Sequence, residues 1–402
     1  MKSQVRRAFR MTSALTLLCI ALFSFACSKA EAPAKGSAPA AATIKIGVYG
    51  PFTGGSAPMG LSMRDGVRLA VAEINSRGGV LQKKIELVER DDQATNERGA
   101  QVMQDLITNE KVAAVLGPIN TGVALASYKY PMAAKVPLLI DVSAGAPVNE
   151  LFNDNPDNYV FRLAASDNIQ AEMIVSEGVD KRGIKKIAFL CDDTNYGQNG
   201  CAKMAKAIES RSLQPVYTGK FKIKDTDMTP QLQQARKAGA QALLVYGIGP
   251  ELAQIANGLQ KLGYKVPMIG SWTLSMSNFI DAAGPNGDGA TMPQTFIQNG
   301  ATSDKAKKFI ADYQQKYKVD RIPSAVSAAQ GYDAMYVLAQ AIEQAGATEG
   351  PKIKAALEDL QKPYAGVIAN FNKPFSATDH EAIHKEQVVM GVIGGGQVQP
   401  RS

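Results

Sequence analysis

Twice along this chain, short runs rich in Ile, Val and Leu alternate with stretches whose apolar residues recur at helical spacing. From Thr43, "TIKIGVYG" reads as a buried strand closed by a Gly-Pro turn. Met63, Val67, Ala70, Val71 and Ile74 then share one helical face, and "RGG" at 77–79 stops the helix. "KKIELVERDD", "KVAAVLGP" and "VPLLIDVS" are the next predicted strands, with "NERGAQVMQDLITNE" and "TGVALASYKYPMAAK" as helices between them. After Asp167 the alternation restarts. Strands "IKKIAFLCDD", "QALLVYGIG" and "KVPMIGSW" interleave with helices "NIQAEMIVSEGVDKRG", "GQNGCAKMAKAIESR" and "PELAQIANGLQKLG". Helices "SDKAKKFIADYQQKYK", "SAVSAAQGYDAMYVLAQAIEQAG" and "GPKIKAALEDL" follow, and "EQVVMGVIGGGQV" reads as two short strands around a Gly turn.

Strands separated by helices of this length make βαβ units and parallel sheets, and two series make two α/β lobes. In open parallel sheets ligands bind beyond the carboxyl ends of the strands. The informative loops are therefore 50–60, 117–122, 142–149, 192–200, 246–251 and 270–276. They are rich in Gly, Ser, Thr, Asn and Tyr and poor in charge, which suits a small, uncharged or singly charged ligand held by hydroxyls and main-chain amides.

The formal charge of +7 includes Lys2, Arg6, Arg7 and Arg10; the remaining +3 is too dispersed to argue for nucleic acid. Those basic residues precede "ALTLLCIALFSFA", a short apolar run ending in small residues before Cys27, so residues 1–27 read as a secretion signal. "FSFAC" resembles a bacterial lipobox, which would make Cys27 a lipidated first residue; the alternative is ordinary cleavage nearby. "SKAEAPAKGSAPAAAT" follows, and residues 28–42 are expected to form a flexible tether. The folded part keeps two cysteines, Cys191 and Cys201. In an oxidising compartment they can form a disulfide, the alternative being two inert buried thiols.

His380-Glu381-Ala382-Ile383-His384 spells H-E-x-x-H, which in zinc hydrolases puts two histidines on one helical face. The chain has no third His, and Glu386 is too close to act as a separate ligand. The segment has room for at most two helical turns and reads instead as an exposed turn with two polar histidines. No P-loop and no G-x-S-x-G elbow occur, and "GIGPEL" lacks the third Gly of a dinucleotide fingerprint. No catalytic residue, metal or cofactor is expected.

The stretch from "IKIGVYGPFTGG" to "VERDDQATNERGA" resembles the opening of the leucine/isoleucine/valine-binding family. "VLGP", "VPLLIDVSAG", "FRLAASDNIQ", "DDTNYGQNG", "VYGIGPE" and "MIGSW" continue the match over about residues 43–395. The resemblance implies an α/β type I periplasmic-binding-protein fold: two doubly wound parallel-sheet lobes joined by three crossovers. Crossovers near Asp167, Phe296 and Glu386 would give a first lobe of 43–166 plus 297–386 and a second of 167–296 plus 387–402. The implied function is an extracytoplasmic, monomeric solute receptor that closes on its ligand and docks on an ABC permease. It would sit in the periplasm or on the outer face of the cytoplasmic membrane, touching the membrane only through an N-terminal lipid. The alternative on this fold is a sensor feeding a membrane receptor.

The resemblance also implies a site. Thr121 takes the place of a Ser that holds the ligand carboxylate, Gly145 matches a main-chain position, and Pro147 replaces a Thr. Tyr196 matches a Tyr that covers the ligand, and Met59 falls where a large apolar group packs on it. Trp272 stands where the family carries the Glu that pairs with the ligand ammonium. The expected binding set is Met59, Asn120, Thr121, Gly145, Ala146, Tyr196, Ile248 and Trp272. A buried ammonium without a counter-charge costs several kcal/mol, whereas a desolvated cation–π contact returns at most about 2 kcal/mol. The expected ligand is thus a small carboxylate or amino-acid-like molecule with an apolar or aromatic body, such as an aromatic acid, rather than a standard aliphatic amino acid.

Overall fold

A computed structural model describes residues 43–151 and 154–401. The expected signal, Cys27 and the tether lie outside the described residues. The first sheet is laid down by β1 (Ile44–Gly50), α1 (Ala57–Ser76), β2 (Ile85–Asp91), α2 (Asn96–Thr108), β3 (Ala114–Leu116), α3 (Thr121–Ser127), α4 (Lys129–Ala134), β4 (Leu138–Ile140), α5 (Pro147–Glu150) and β5 (Val160–Arg162). Its order is β2-β1-β3-β4-β5, with every pair parallel. The strands are largely buried, as a parallel sheet covered by helices on both faces requires.

The chain then crosses to a second layer: α6 (Asp167–Ser176), β6 (Ile187–Asp192), α7 (Asn195–Glu209), β7 (Tyr217–Phe221), α8 (Thr229–Lys237), β8 (Ala242–Tyr246), α9 (Glu251–Lys261), β9 (Met268–Gly270), α10 (Ser277–Ala283) and β10 (Thr291–Gln294). It returns through α11 (Asp304–Tyr317), α12 (Ala325–Ala345) and α13 (Gly350–Glu358) and a small hairpin of β11 (Tyr364–Ala365) and β12 (Asn370–Phe371). Buried along most of its length, α12 lies against α1. A last crossing delivers β13 (Val389–Gly394) and β14 (Gln397–Pro400) to the second sheet, ordered β14-β13-β10-β9-β8-β6-β7. Strands β10 to β7 are parallel, while β13 and β14 add antiparallel strands at one edge. The molecule is two doubly wound lobes joined by three crossovers. Among the described residues no helix is long and apolar enough to cross a membrane.

Three departures from the sequence reading have physical causes. The helix expected over 121–135 breaks at Tyr128 into α3 and α4, because Pro131 has no N–H for the Ser127 carbonyl. The helix begun at α6 closes in a π-helical turn, Glu177–Lys181. The third departure corrects the exposed turn expected for HEAIH. His380 is 6% exposed, and its ring stacks on Phe161 at 4.0 Å. Nδ1 lies 2.9 Å from the Val160 carbonyl and Nε2 lies 3.1 Å from Glu358. The segment runs as a parallel bridge beside β5, Arg162 against Glu381, so it is strand-like and buried; His384 alone is exposed.

Candidate functional site

Strand order determines where the two lobes can hold something. The first sheet reverses direction of growth between β1 and β3, the second between β6 and β8. Loops leaving neighbouring strands at such a point diverge and leave a crevice. The two crevices face each other across a cleft of about 410 Å³. Asn120 and Thr121, with the 94–97 turn, line it from the first lobe; Asp193 to Tyr196 and Ile248 line it from the second. The lobes also touch. Asn278 Nδ2 donates to the Gly55 carbonyl at 2.8 Å, and Lys203 pairs with Glu150 at 2.9 Å.

Behind these lining residues lies a polar scaffold. Thr121 is fully buried, and its hydroxyl accepts from Ser143 at 3.4 Å. Gly145 packs directly on it: a Cβ there would stand 2.2 Å from Thr121 Cγ2. The Gly145 carbonyl accepts from Arg162 Nη1 at 2.7 Å. Arg162 is buried and also grips Glu381 through Nε at 2.8 Å and through Nη2, tying β5 to the last crossover.

On the second lobe, Asp192 is the organiser. Oδ1 accepts from Thr194 N at 3.0 Å, Thr194 Oγ1 at 2.6 Å and Gly197 N at 3.2 Å, and Oδ2 accepts from Ile248 N at 2.9 Å. This one carboxylate fixes the loops that present both Tyr196 and Ile248. Burial pushes it up to about 6 despite those donors. Gly197 admits it, since a Cβ would stand 2.2 Å from Asp192 Oδ1. Tyr196 is 4% exposed, and its ring lies 4.8 Å from that of Tyr246, whose hydroxyl donates to Asp167 at 2.5 Å.

A second gap lies at the floor, where the crossovers converge. Val142, Gln170, Trp272, Gln294, Gln330 and Val388 are among its walls. Trp272 is pinned there: its N–H donates to Gln170 Oε1 at 3.2 Å, and its carbonyl accepts from Gln294 at 3.1 Å. The structure thus brings Asn120, Thr121, Tyr196 and Ile248 to one cleft, with Gly145 directly behind Thr121. Ala146 is buried beside Gly145 as the cap of α5. Trp272 lies between the lobes but in the floor gap. Met59 is buried in the core around α1 and lines neither gap. Cys191, at the end of β6, and Cys201, in α7, are bonded, with their Cα atoms 6.1 Å apart. Sequence reasoning missed Asp192, Asp167 and the Arg162–Glu381 pair. The "DD" closing β6 was the only local trace of the first.

Residues 43–396 match the family described as periplasmic binding protein. The leucine-, isoleucine-, valine-, threonine- and alanine-binding protein of Pseudomonas aeruginosa is 27% identical over 362 residues, covering 89% of each chain. A branched-chain amino acid transporter substrate-binding protein from Streptococcus pneumoniae, solved with isoleucine, is 28% identical with a TM-score of 0.79, covering 89% of this chain and 98% of that one. A solute-binding protein of Rhodopseudomonas palustris, solved with 3,4-dihydroxybenzoic acid, shares the fold at 21% identity and a TM-score of 0.75, covering 89% and 95%. The matching span, the two-lobed topology and the interlobe cleft agree: this chain belongs to the periplasmic binding protein family, a family of extracytoplasmic proteins that bind small solutes.

Proposed function

We propose that the protein is the solute receptor of an ABC importer of the branched-chain amino acid type, capturing a small carboxylate or amino-acid-like ligand by closing its two lobes. The observation that carries this reading is the cleft itself. Its walls include a buried hydroxyl and helix-start amides from one lobe, and an aromatic ring and an apolar side chain from the other, with Glu97 and Asp193 also on the lining. Such walls grip a carboxylate at one end and an apolar body at the other. The family relatives carry ligands of this size, isoleucine in one and 3,4-dihydroxybenzoic acid in another. Lobes of 43–166 plus 297–386 and of 167–296 plus 387–402 would rotate about the three crossovers. The signal, Cys27 and the tether would deliver the receptor to the outer side of the cytoplasmic membrane, to serve as a monomer beside its permease.

The chain's single Trp stands between the lobes and should report closure. Titration with amino acids, aromatic acids and short-chain acids should give a saturable fluorescence change with at least one of them. Thr121→Val should weaken that binding at least tenfold. Saturable binding that Thr121→Val and Tyr196→Ala both leave unchanged would refute this site.

A further inference from the structure

A separate cavity of about 230 Å³ lies against the second crossover, at Phe296 and Ile297, and shares no lining residue with the ligand cleft. Ile280 of α10 and Val398 of β14 wall it from the second lobe, and Gln314 of α11 and Ala325 of α12 from the first. Its volume is below the roughly 300–1,000 Å³ of sites that take drug-sized ligands. Ile280, Phe296 and Ile322 give it a buried apolar floor, while Asn299, Asp320 and Gln397 are exposed at its mouth. The lobes are pinned together around it. Ser277 N–H donates to the Pro323 carbonyl at 2.9 Å, and Arg321 pairs with Asp281.

The hydrogen bonds already made here leave one kind of group over. Gln294 Nε2 donates to the Trp272 carbonyl at 3.1 Å and the Pro293 carbonyl at 2.8 Å, Gln314 Nε2 donates to the Asp320 carbonyl, and Asn299 Nδ2 donates to the Val398 carbonyl at 3.3 Å. Those carbonyls fix which end of each amide is nitrogen. The three amide oxygens accept from none of the described residues, and Gln294 is itself only 2% exposed. The one cation on the lining, Arg321, is committed to Asp281 and to the Gly396 carbonyl at 2.8 Å. We propose that this cavity is a second small-molecule site, that it takes a neutral, hydroxyl-rich compound of monosaccharide size, and that its occupant is felt at the floor of the ligand cleft through Gln294. Hydroxyls donate to the free amide oxygens, and the apolar face of the compound lies on Phe296 and its neighbours. A carboxylate or phosphate finds no uncommitted cation, and an ammonium would be set against an apolar floor. Gln294 also lines the floor gap, and Ser275, on the cavity wall, donates to the same Trp272 carbonyl at 2.7 Å. An occupant that draws on either side chain therefore acts on the pair that holds Trp272. By linkage, whatever moves Trp272 from the cleft side changes the affinity of this cavity in return.

The probes are glycerol, xylose, glucose and myo-inositol, with gluconate as the anion matched to glucose. Saturation-transfer NMR on the mature protein should show saturable binding of at least one neutral probe, with gluconate at least tenfold weaker than glucose where glucose binds. Trp272 emission should change with the same midpoint. Ala325→Phe fills the cavity from the start of α12 and should weaken probe binding at least tenfold and remove the emission change. Gln314→Leu deletes one acceptor from a partly exposed helical position and should weaken binding about fivefold, with the unfolding midpoint of both variants near that of wild type. Thr121→Val, which alters the cleft, should leave probe binding unchanged. No neutral probe binding to wild type, or binding that Ala325→Phe and Gln314→Leu both leave intact, would overturn the site. Probe binding lost in Thr121→Val would place the compound in the ligand cleft, overturning this site while supporting the receptor reading. Occupancy with unchanged Trp272 emission would overturn the link through Gln294.

Discussion

Asp141 is the sharpest test of how this fold tolerates buried acids, because desolvation outweighs the one interaction that opposes it, with its own backbone N–H. It follows β4, has no solvent contact, and among the described residues no other residue hydrogen-bonds its carboxylate oxygens. Desolvation pushes it from 3.8 up to about 8. The sign follows from linkage. The folded chain keeps a proton that the unfolded chain releases above about pH 4, so this carboxyl lowers stability as pH rises, until the folded form also ionises near 8. Each unit of the gap is worth about 1.4 kcal/mol. Between pH 4 and pH 7 wild type should therefore lose about 4 kcal/mol at this residue. Asparagine has the same shape and does not titrate. Asp141→Asn carries a fixed desolvation cost of its own, but that cost does not change with pH. Urea unfolding followed by far-ultraviolet circular dichroism at half-unit steps from pH 4 to pH 7.5 should show the two proteins diverging. The variant should gain steadily on wild type at a rate close to the full linkage slope. Parallel stability profiles would show that Asp141 is solvated or paired in solution, and the reasoning about its burial would be wrong.

Other consequences are sharper in sign than in size. Gly145→Ala puts a methyl 2.2 Å from Thr121 Cγ2 and should weaken ligand binding at least tenfold in calorimetry, with a smaller effect on the unfolding midpoint. Arg162→Leu strips the donor from Gly145 and leaves Glu381 unpaired, so chemical unfolding should register a loss of about 3 kcal/mol; Glu381→Gln, which keeps an acceptor for Arg162, should cost less. Asp192→Ala orphans the backbone N–H groups of Thr194 and Ile248 and leaves Gly197 only its bond to Thr194 Oγ1, so denaturant titration should show about 2–4 kcal/mol lost, with ligand affinity falling in parallel because Tyr196 and Ile248 are no longer held.

What was legible in the sequence is what is local. Strands β1, β6 and β8 are apolar runs buried on nearly every residue, and α1 shows its inward face at helical spacing, so composition and period name them directly. Strands β5 and β10 have three and four residues and exist only because neighbours pair with them. At the sheet edge, β7 spells "YTGKF" with a Gly and a Lys, and α8 buries only Leu232 and Ala235. None of these carries a periodic signal. The cleft divides in the same way. Strand ends locate Thr121, Tyr196 and Ile248, because a loop must leave each strand at its carboxyl end. Position alone does not say which gap a side chain enters, so Trp272 could be placed between the lobes without being distinguished from the floor gap. The Arg162–Glu381 pair joins residues 219 apart and leaves no mark in either neighbourhood. The loops looked nearly free of charge, yet Asp91, Asp92, Asp141 and Asp192 stand at the strand ends just behind them. Three of the four bind loop amides: Asp91 holds Phe52 and Gln93, Asp92 holds Ala94, and Asp192 holds Thr194, Gly197 and Ile248. A carboxylate buried at a strand end accepts several N–H groups that a glycine-rich turn leaves over, and so shapes the turn from behind. The lining and the acidic anchors are one arrangement. An incoming solute meets hydroxyls, amides and an aromatic ring, with Glu97 and Asp193 also on the lining, while the carboxylates that anchor the turns stay behind the wall.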